Sequence, residues 1–462
     1  MIDDMRPTAP PAHALKPAVR WATGHALPRA VMHVVARRGD LQGRLITGSD
    51  DSRQVGEILD TLRERGPMVS TRIGHITVSH ADCKQVLSSP DFRSGIPVPE
   101  TGPVGRLYQW SLSEGLHPMQ APSLLVTEPP QHTRYRKLVT GVFTHRAVEA
   151  LRDQIQVIAD DLLDEIEREA DHPVDIVERY CSLMPVTVIS QILGVPEEDR
   201  PRVLAYGSAA APSLDLGLTW REFRSVEGAL ADFDEWLGMH LGRLRRDPGE
   251  NLLSKLVAAA DEGEGLTELE LKSTAGLVLA AGFETTVNLL GNGIALLATA
   301  PDQLAALRAD PSLWPNAVDE ILRIDPPVLL TGRVAVRDTE VGGRHIAEGG
   351  VVTTVLAGAN RDPEVFADPD VFDVRRANAR DHLAFGYGRH HCLGAALARI
   401  EGEVGLRSVF ERYPDLRLLP GAARRSTRIL RGYERLPVQL RWPPRSQGPS
   451  QTSPPIAGSA TS

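Results

Sequence analysis

The sequence predicts a mainly α fold with a small β region. Three observations carry that reading. Thr267-Glu268-Leu269-Glu270 has the Ser/Thr-x-x-Glu form of a capping box and opens a long apolar run that ends before Pro301. Apolar residues at a period of 3.6 dominate the rest of the chain, and strand-like stretches are few and clustered.

Along the chain, residues 1–25 are Pro/Ala-rich and aperiodic, and are expected to form a disordered tail. The mostly apolar run at 31–36 is read as a packed helix or turn rather than a membrane contact. Residues 72–79 read as a strand, and 144–169 and 226–245 as helices. The capping box at Thr267 starts a helix of ~30 residues, about 45 Å long, enough to cross a domain. Its middle, residues 275–283, is apolar on every side and therefore buried, which puts Glu284, Thr285 and Thr286 inside the protein. A short helix follows at 315–322. Gly342-Gly343 then turns a hairpin between 337–341 and 344–346, and 351–356 is a further strand. Residues 394–412 return to helix, and 443–462 form a second disordered tail. Between the tails, 26–442 has no linker and no repeat, so one large domain is expected.

The 462 residues are 42% hydrophobic and carry 51 Lys+Arg against 60 Asp+Glu, a net charge of -9. That composition supplies a buried core, excludes disorder throughout and argues against a nucleic-acid partner. Cys83, Cys181 and Cys392 are too few and too scattered for a disulfide framework or a four-cysteine zinc module, which suits a reducing cytoplasm. Uncharged apolar stretches fall short of the ~20 residues of a transmembrane segment, and Met1-Ile2-Asp3-Asp4 does not open like a signal peptide. The expected localisation is cytoplasmic.

The densest chemical signal is Phe385-Gly386-Tyr387-Gly388-Arg389-His390-His391-Cys392-Leu393-Gly394, just ahead of a helix. Its glycines permit tight turns and close approach to a flat ligand. Cys392 sits where a helix dipole and free N–H groups favour a thiolate, and a thiolate there can ligate a metal. An isolated cysteine is ordinarily a small buried hydrophobe. Zinc held by His390, His391 and Cys392 is disfavoured, because consecutive residues rarely converge on one tetrahedral ion.

This segment resembles the cysteine-ligand loop of the cytochrome P450 family, Phe-Gly-x-Gly-x-His-x-Cys-x-Gly, at all six fixed positions. Other stretches are similar to that family in the right order, from about residue 38 to 440. They are Glu128-Pro129-Pro130-Gln131-His132-Thr133-Arg134-Tyr135-Arg136, Ala281-Gly282-Phe283-Glu284-Thr285-Thr286, and Glu320-Ile321-Leu322-Arg323 followed by Pro326-Pro327. The resemblance implies a P450 fold holding haem b (iron-protoporphyrin IX) between the central helix and the cysteine loop. Cys392 would be the proximal iron ligand. His132, Arg136, Arg333 and His390 would meet the haem carboxylates through charge-assisted hydrogen bonds, with Phe385, Gly386 and Gly394 among the cofactor contacts. Gly282 would open room beside the helix, Thr285 would bond back to the carbonyl four residues earlier, and Glu284 with Thr285 would relay the protons that O–O cleavage consumes. Glu320, Arg323 and Arg376 would lock the haem-side core. Alone, the Glu320/Arg323 spacing says little, since Glu149/Arg152, Glu165/Arg168 and Glu197/Arg200 share it.

The implied activity is insertion of one atom of O2 into a lipophilic small molecule, with the other leaving as water. The chain has no dinucleotide-binding fingerprint, so electrons would come from a separate ferredoxin and ferredoxin reductase. Arg134, Lys137, Arg389 and Arg399 are candidates for steering an acidic partner. Substrate would be lined by residues 95–125, 208–220, 277–281, 328–331 and 429–433. A peroxide-using or non-oxygenating haem-thiolate enzyme and a haem-based sensor are the alternatives, and the presence of both Glu284 and Thr285 favours O2 activation. Residues 37–42, 287–293 and 430–432 are similar to an actinobacterial, notably mycobacterial, subgroup.

Overall fold

In the computed structural model, which describes residues 11–48, 52–95, 102–112, 115–169, 173–261 and 266–440, helices surround a five-stranded sheet set to one side. The helices that build the site are α1 (Pro11–Trp21), α2 (Leu27–Arg37), α3 (Gly102–Ser111), α4 (Gln131–Thr140), α5 (Leu183–Leu193), α6 (Trp220–Arg246), α7 (Glu268–Thr299), α8 (Trp314–Ile324) and α9 (Ala395–Arg412).

The capping box at Thr267 forms as the sequence predicts. Glu270 N–H donates to Thr267 Oγ1 at 3.3 Å, and Thr267 N–H donates to Glu270 at 2.8 Å. A second box, Thr219 with Glu222, starts α6 six residues before the periodic pattern does. The helix expected at 144–169 is divided by a turn at Ala150–Leu151 into His145–Glu149 and Arg152–Glu169. The central helix α7 is buried along its length, with Leu271, Leu279, Phe283, Leu290 and Ile294 all in the main core, and it packs against α5, α8 and α9.

The sheet runs β1 (Met68–Thr71), β2 (Gly74–Thr77), β3 (Phe92–Ser94), β4 (Thr331–Ala335) and β5 (Val351–Thr354), in the order β1-β2-β5-β4-β3. Only β2 and β5 pair parallel. The predicted Gly342-Gly343 hairpin forms separately, with both glycines at positive φ (57° and 70°), as a two-residue hairpin turn requires.

One expectation fails. Within residues 1–25, everything from Pro11 onward among the described residues is helical, and 441–462 lie outside the described residues. The reason is tertiary. The Arg20 guanidinium is buried, donates to Ser111 O at 2.7 Å and pairs with Glu227 on α6, while Trp21 Nε1 donates to Leu218 O at 3.0 Å. Packing of one helix face against the body stabilises a helix that composition alone does not reveal.

Order around the cysteine loop rests on α8. Arg323, fully buried, donates from Nε and Nη2 to both oxygens of Glu320 (2.7 and 2.8 Å), and from Nη1 and Nη2 to the carbonyls of Asn360, Pro369 and Val371. Arg376 joins through Nε at 3.1 Å, as expected. Removing one partner of such a pair strands a buried charge. Arg323→Met should therefore lower stability by ~3–5 kcal/mol, read as a reduced urea midpoint, whereas Arg407→Ala at the exposed Arg407–Glu411 pair should change it by under ~0.5 kcal/mol.

Two buried histidines contribute to the acid limit. Burial, reinforced by Arg20, lowers His25 and His117 to a pKa of about 4, and each accepts a backbone N–H at Nδ1, which only the neutral ring can do. Their folded pKa lies below the unfolded value, so the unfolded chain takes up protons first. Stability is then intact above about pH 6.5 and falls toward about pH 4. Thermal melts across that window should show the loss, and His117→Gln should flatten its slope.

Candidate active site

The cysteine loop is shaped by its own backbone. Gly386 and Gly388 adopt φ of 69° and 72°, and a Cβ at Gly388 would lie 2.6 Å from the Leu87 carbonyl oxygen. Cys392 N–H donates to Phe385 O at 2.9 Å, closing the loop, and Gly394 forms the N-cap of α9. The Cys392 side chain is accessible even though protein surrounds it, so it faces an internal space. Desolvation raises its pKa, against the Gly394 N–H and the charges of Arg136 and Arg399. The expected net lowering by the helix terminus is therefore overridden by burial, and a bound metal would be what holds the thiolate.

Around the loop lies a surplus of cations gathered on one acid. Glu128 accepts from Ser94 N–H (2.7 Å) and Arg389 Nη1 (2.9 Å), and His390 Nε2 lies 3.1 Å away. Although burial raises it, these bonds hold the Glu128 carboxyl at about 2. His132 lies with its ring centroid 4.5 Å from that of His390, the planes inclined at 59°, is buried, and leaves Nε2 without a partner. Burial and the neighbouring His390 and Arg136 push His132 down to about 4, so its ring is neutral. Arg333 on β4 is buried too. It donates to Thr331 Oγ1 and Gly332 O, has no carboxylate at ion-pair distance among the described residues, and is lowered to about 10 by burial.

Three of the four predicted carboxylate partners, His132, Arg333 and His390, thus come together. The fourth, Arg136, also neighbours His132 and donates to the loop carbonyls of Arg389 (3.3 Å) and His391 (2.7 Å), with further N–H groups left over. An orphaned buried imidazole nitrogen, a buried guanidinium without an acid, and an inward-facing thiol fit the haem that the resemblance implies.

On the other side, α7 presents Thr285 and Glu284 to a cavity of about 390 Å³. Thr285 Oγ1 donates to Ala281 O at 3.2 Å, the predicted back-bond. Glu284 is buried. Burial raises its pKa, against the charge of Arg425 and a hydrogen bond from Ser208, and Arg425 Nη1 lies 2.8 Å from Oε1. No sequence signal marked Arg425, which comes from the strand Ala423–Arg424 and its turn. Gly282 does not open ligand space, because a Cβ there would sit 2.9 Å from Ile189 Cγ1. Its role is close packing of α5 on α7. All five predicted lining segments contribute, for example Leu116, Leu214, Leu277, Leu330 and Ile429. Met32, Phe233 and Val351 add walls that sequence reading missed.

The candidate docking cations are mostly engaged: Arg134 with Glu270, Arg389 with Glu128 and Arg399 with Asp319, while Lys137 is exposed.

Residues 212–426 match the family model Cytochrome P450. A Mycobacterium tuberculosis protein assigned as cytochrome P450 140 is 51% identical over 434 residues, 92% of this chain and 98% of that protein. The 6-deoxyerythronolide B hydroxylase of Saccharopolyspora erythraea is 42% identical over 324 residues, 69% of this chain and 78% of its own. The crystal structure of Mycobacterium smegmatis CYP164A2 in its ligand-free state superposes with a TM-score of 0.75 at 34% identity, over 87% of this chain and 99% of that one. Such identity along almost the whole of both mycobacterial chains, with the cysteine loop folded as its pattern requires, means that the chain belongs to the cytochrome P450 family.

Proposed function

We propose that the protein is a haem b monooxygenase that inserts one atom of O2 into a lipophilic small molecule, with electrons from a ferredoxin and its reductase. The observation that carries this reading is the apolar cavity with a half-buried Thr285 hydroxyl and a buried Glu284 carboxyl side by side in its wall. The hydroxylase named among the relatives supports oxygenation as the reaction class.

When bound through Cys392, haem supplies the iron at which O2 is activated. His132, Arg136, Arg333 and His390 would hold its carboxylates, and Phe385, Gly386 and Gly394 frame the loop beneath. The sequence has no Cys-x-x-Cys-His attachment site, which favours noncovalent haem b. Thr285 spends its proton on Ala281 O, leaving Oγ1 an acceptor toward the cavity. Glu284, whose pKa burial raises against the charge of Arg425, is placed next to it to exchange a proton, and Arg425 keeps that carboxyl from drifting. The apolar wall excludes water, so protons enter through this pair.

Reconstitution with ferredoxin, reductase, a nicotinamide cofactor and ¹⁸O₂ over a panel of lipophilic compounds should give a product carrying one labelled oxygen. An unlabelled product, or none with peroxide alone as the outcome, sinks the oxygenase reading. In Thr285→Ala, product should drop by ~10² while cofactor consumption continues and hydrogen peroxide appears. Coupling equal to wild type would remove Thr285 from the relay.

A further inference from the structure

Helix α2 turns its apolar side outward. Leu27, Ala30, Val31 and Val34 follow the i, i+3, i+4, i+7 spacing of an amphipathic helix, yet all four are exposed, the three larger ones at 54%, 40% and 46%. In a helix packed on a core this stripe faces inward. Here the inward side is made by other residues: Val35 is buried, Arg29 donates to Gly217 O at 2.9 Å, and Met32 lines the cavity. The expectation of an ordinary packed element at 31–36 therefore holds for one side only.

The exposure continues on the neighbours. Leu15 of α1 is exposed, and α3, which packs on α1, exposes Val104, Leu107 and Trp110. Lys16 reaches over the Trp110 ring at 5.8 Å. Among the described residues, seven of the fifteen exposed large apolar side chains sit on these three helices, which marks a patch rather than scatter. Its charge is one-sided. Residues 11–39 contain no Asp or Glu, and with Arg20 and Arg29 turned inward they leave Lys16, Arg37 and Arg38 outside, to which α3 adds Arg106 and no acid, in a chain of net charge -9. Arg37, Arg38 and Arg106 are exposed at the fringe.

We propose that the outer face of α1, α2 and α3 docks on the surface of an anionic lipid bilayer. An apolar helical stripe with basic residues beside it and a tryptophan at the edge is the composition that lies in a lipid interface. No helix among the described residues is long and apolar enough to cross a membrane, so the protein lies on the lipid and does not span it. A second copy fits less well, because a self-complementary contact would set cations against cations with no acid to pair them. Met32 places the cavity wall directly behind this face, so a lipophilic molecule dissolved in the bilayer would be close to the site.

The test is co-sedimentation of the full-length haem-loaded protein with vesicles of phosphatidylcholine alone and of phosphatidylcholine with one third phosphatidylglycerol. Wild type should partition onto the anionic vesicles at least ~10-fold more strongly than onto neutral ones, and salt should weaken the binding. Val31→Glu with Val34→Glu should reduce it by ~10-fold or more. Val157→Glu and Met239→Glu, at exposed apolar positions elsewhere, should not. Leu27→Ser with Leu107→Ser should also reduce it, which separates loss of apolar contact from added negative charge. Wild type staying in the supernatant overturns the proposal. So does binding unchanged in both double variants, or a dimer in sedimentation equilibrium that the same variants dissociate.

Discussion

A guanidinium with no exposed surface is tolerable only when its charge is met and its N–H groups are bonded, and Arg323 satisfies both conditions in a way that dictates the haem-side architecture. Residues 360–378 have no helix or strand, so their carbonyls need donors from elsewhere. Arg323 supplies them at Asn360, Pro369 and Val371, and Arg376 at Ala367, Asp368 and Val371. Asn360 in turn accepts Leu383 N–H at 2.6 Å, two residues before Phe385. Four positions earlier on α8, Asp319 lies 3.1 Å from His382 Nε2 and accepts from Arg399 Nε at 2.7 Å. A single short helix therefore fastens the cysteine loop before its start and after its end. A buried ion pair of this kind contributes little net stability over an apolar replacement; here it specifies which irregular path the chain takes.

That fastening explains the division of labour among the cations. The loop carbonyls of Arg389 and His391 must be bonded as well, and Arg136 donates to them. Glu128 organises His390 and Arg389 from the opposite side. Arg136 has no acid partner either, and deep in the protein His132 Nε2 and Arg333 remain uncommitted to an acid, where a neutral imidazole costs less than a charged one. The arrangement has room for negative charge and for a metal-bound thiolate, and the raised thiol pKa of Cys392 says the same thing from the other direction: without a metal, burial favours the neutral sulfur.

Local signals were legible in the sequence, and signals that depend on a distant face were not. The capping box at Thr267, the Gly342-Gly343 turn and the cysteine loop are readable because a few consecutive residues determine them. Gly282 was misread because spacing says that a glycine makes room but not for what, and the answer, Ile189, lies on another helix. Arg136 matched its motif while its bonds went to the loop. Arg425 carried no mark at all. The N-terminal helices were hidden by a Pro/Ala composition whose ordering contacts, Ser111, Leu218 and Glu227, are remote in sequence. The subgroup-like stretches at 287–293 and 430–432 gave no role individually, yet they meet: a Cβ at Gly432 would fall 1.9 Å from Asn288 Oδ1, and Asn292 donates to Arg431 O at 3.3 Å. Glycine at 432 is what lets that turn approach the buried face of α7.

The two sides of α7 then obey different rules. On the loop side the polar groups of α8 and of the cysteine loop are bonded to one another, so the geometry there is stiff. On the cavity side the polar groups are tied inward: Gln42 to Thr71 and Thr353, Thr285 to Ala281, Glu284 to Arg425. The remaining wall is apolar and recognises by shape and area, and such a wall separates substrates by only ~1–3 kcal/mol per methylene. Selection among ligands on such a wall comes from how its segments are positioned. Several of them, including Ser213, Leu214 and Leu216, lie beside the Gly217 and Leu218 carbonyls that α1 and α2 hold. The N-terminal helices are therefore part of the cavity in mechanical terms: Trp21 and Arg29 fix the wall segment, and Met32 completes it from the same side.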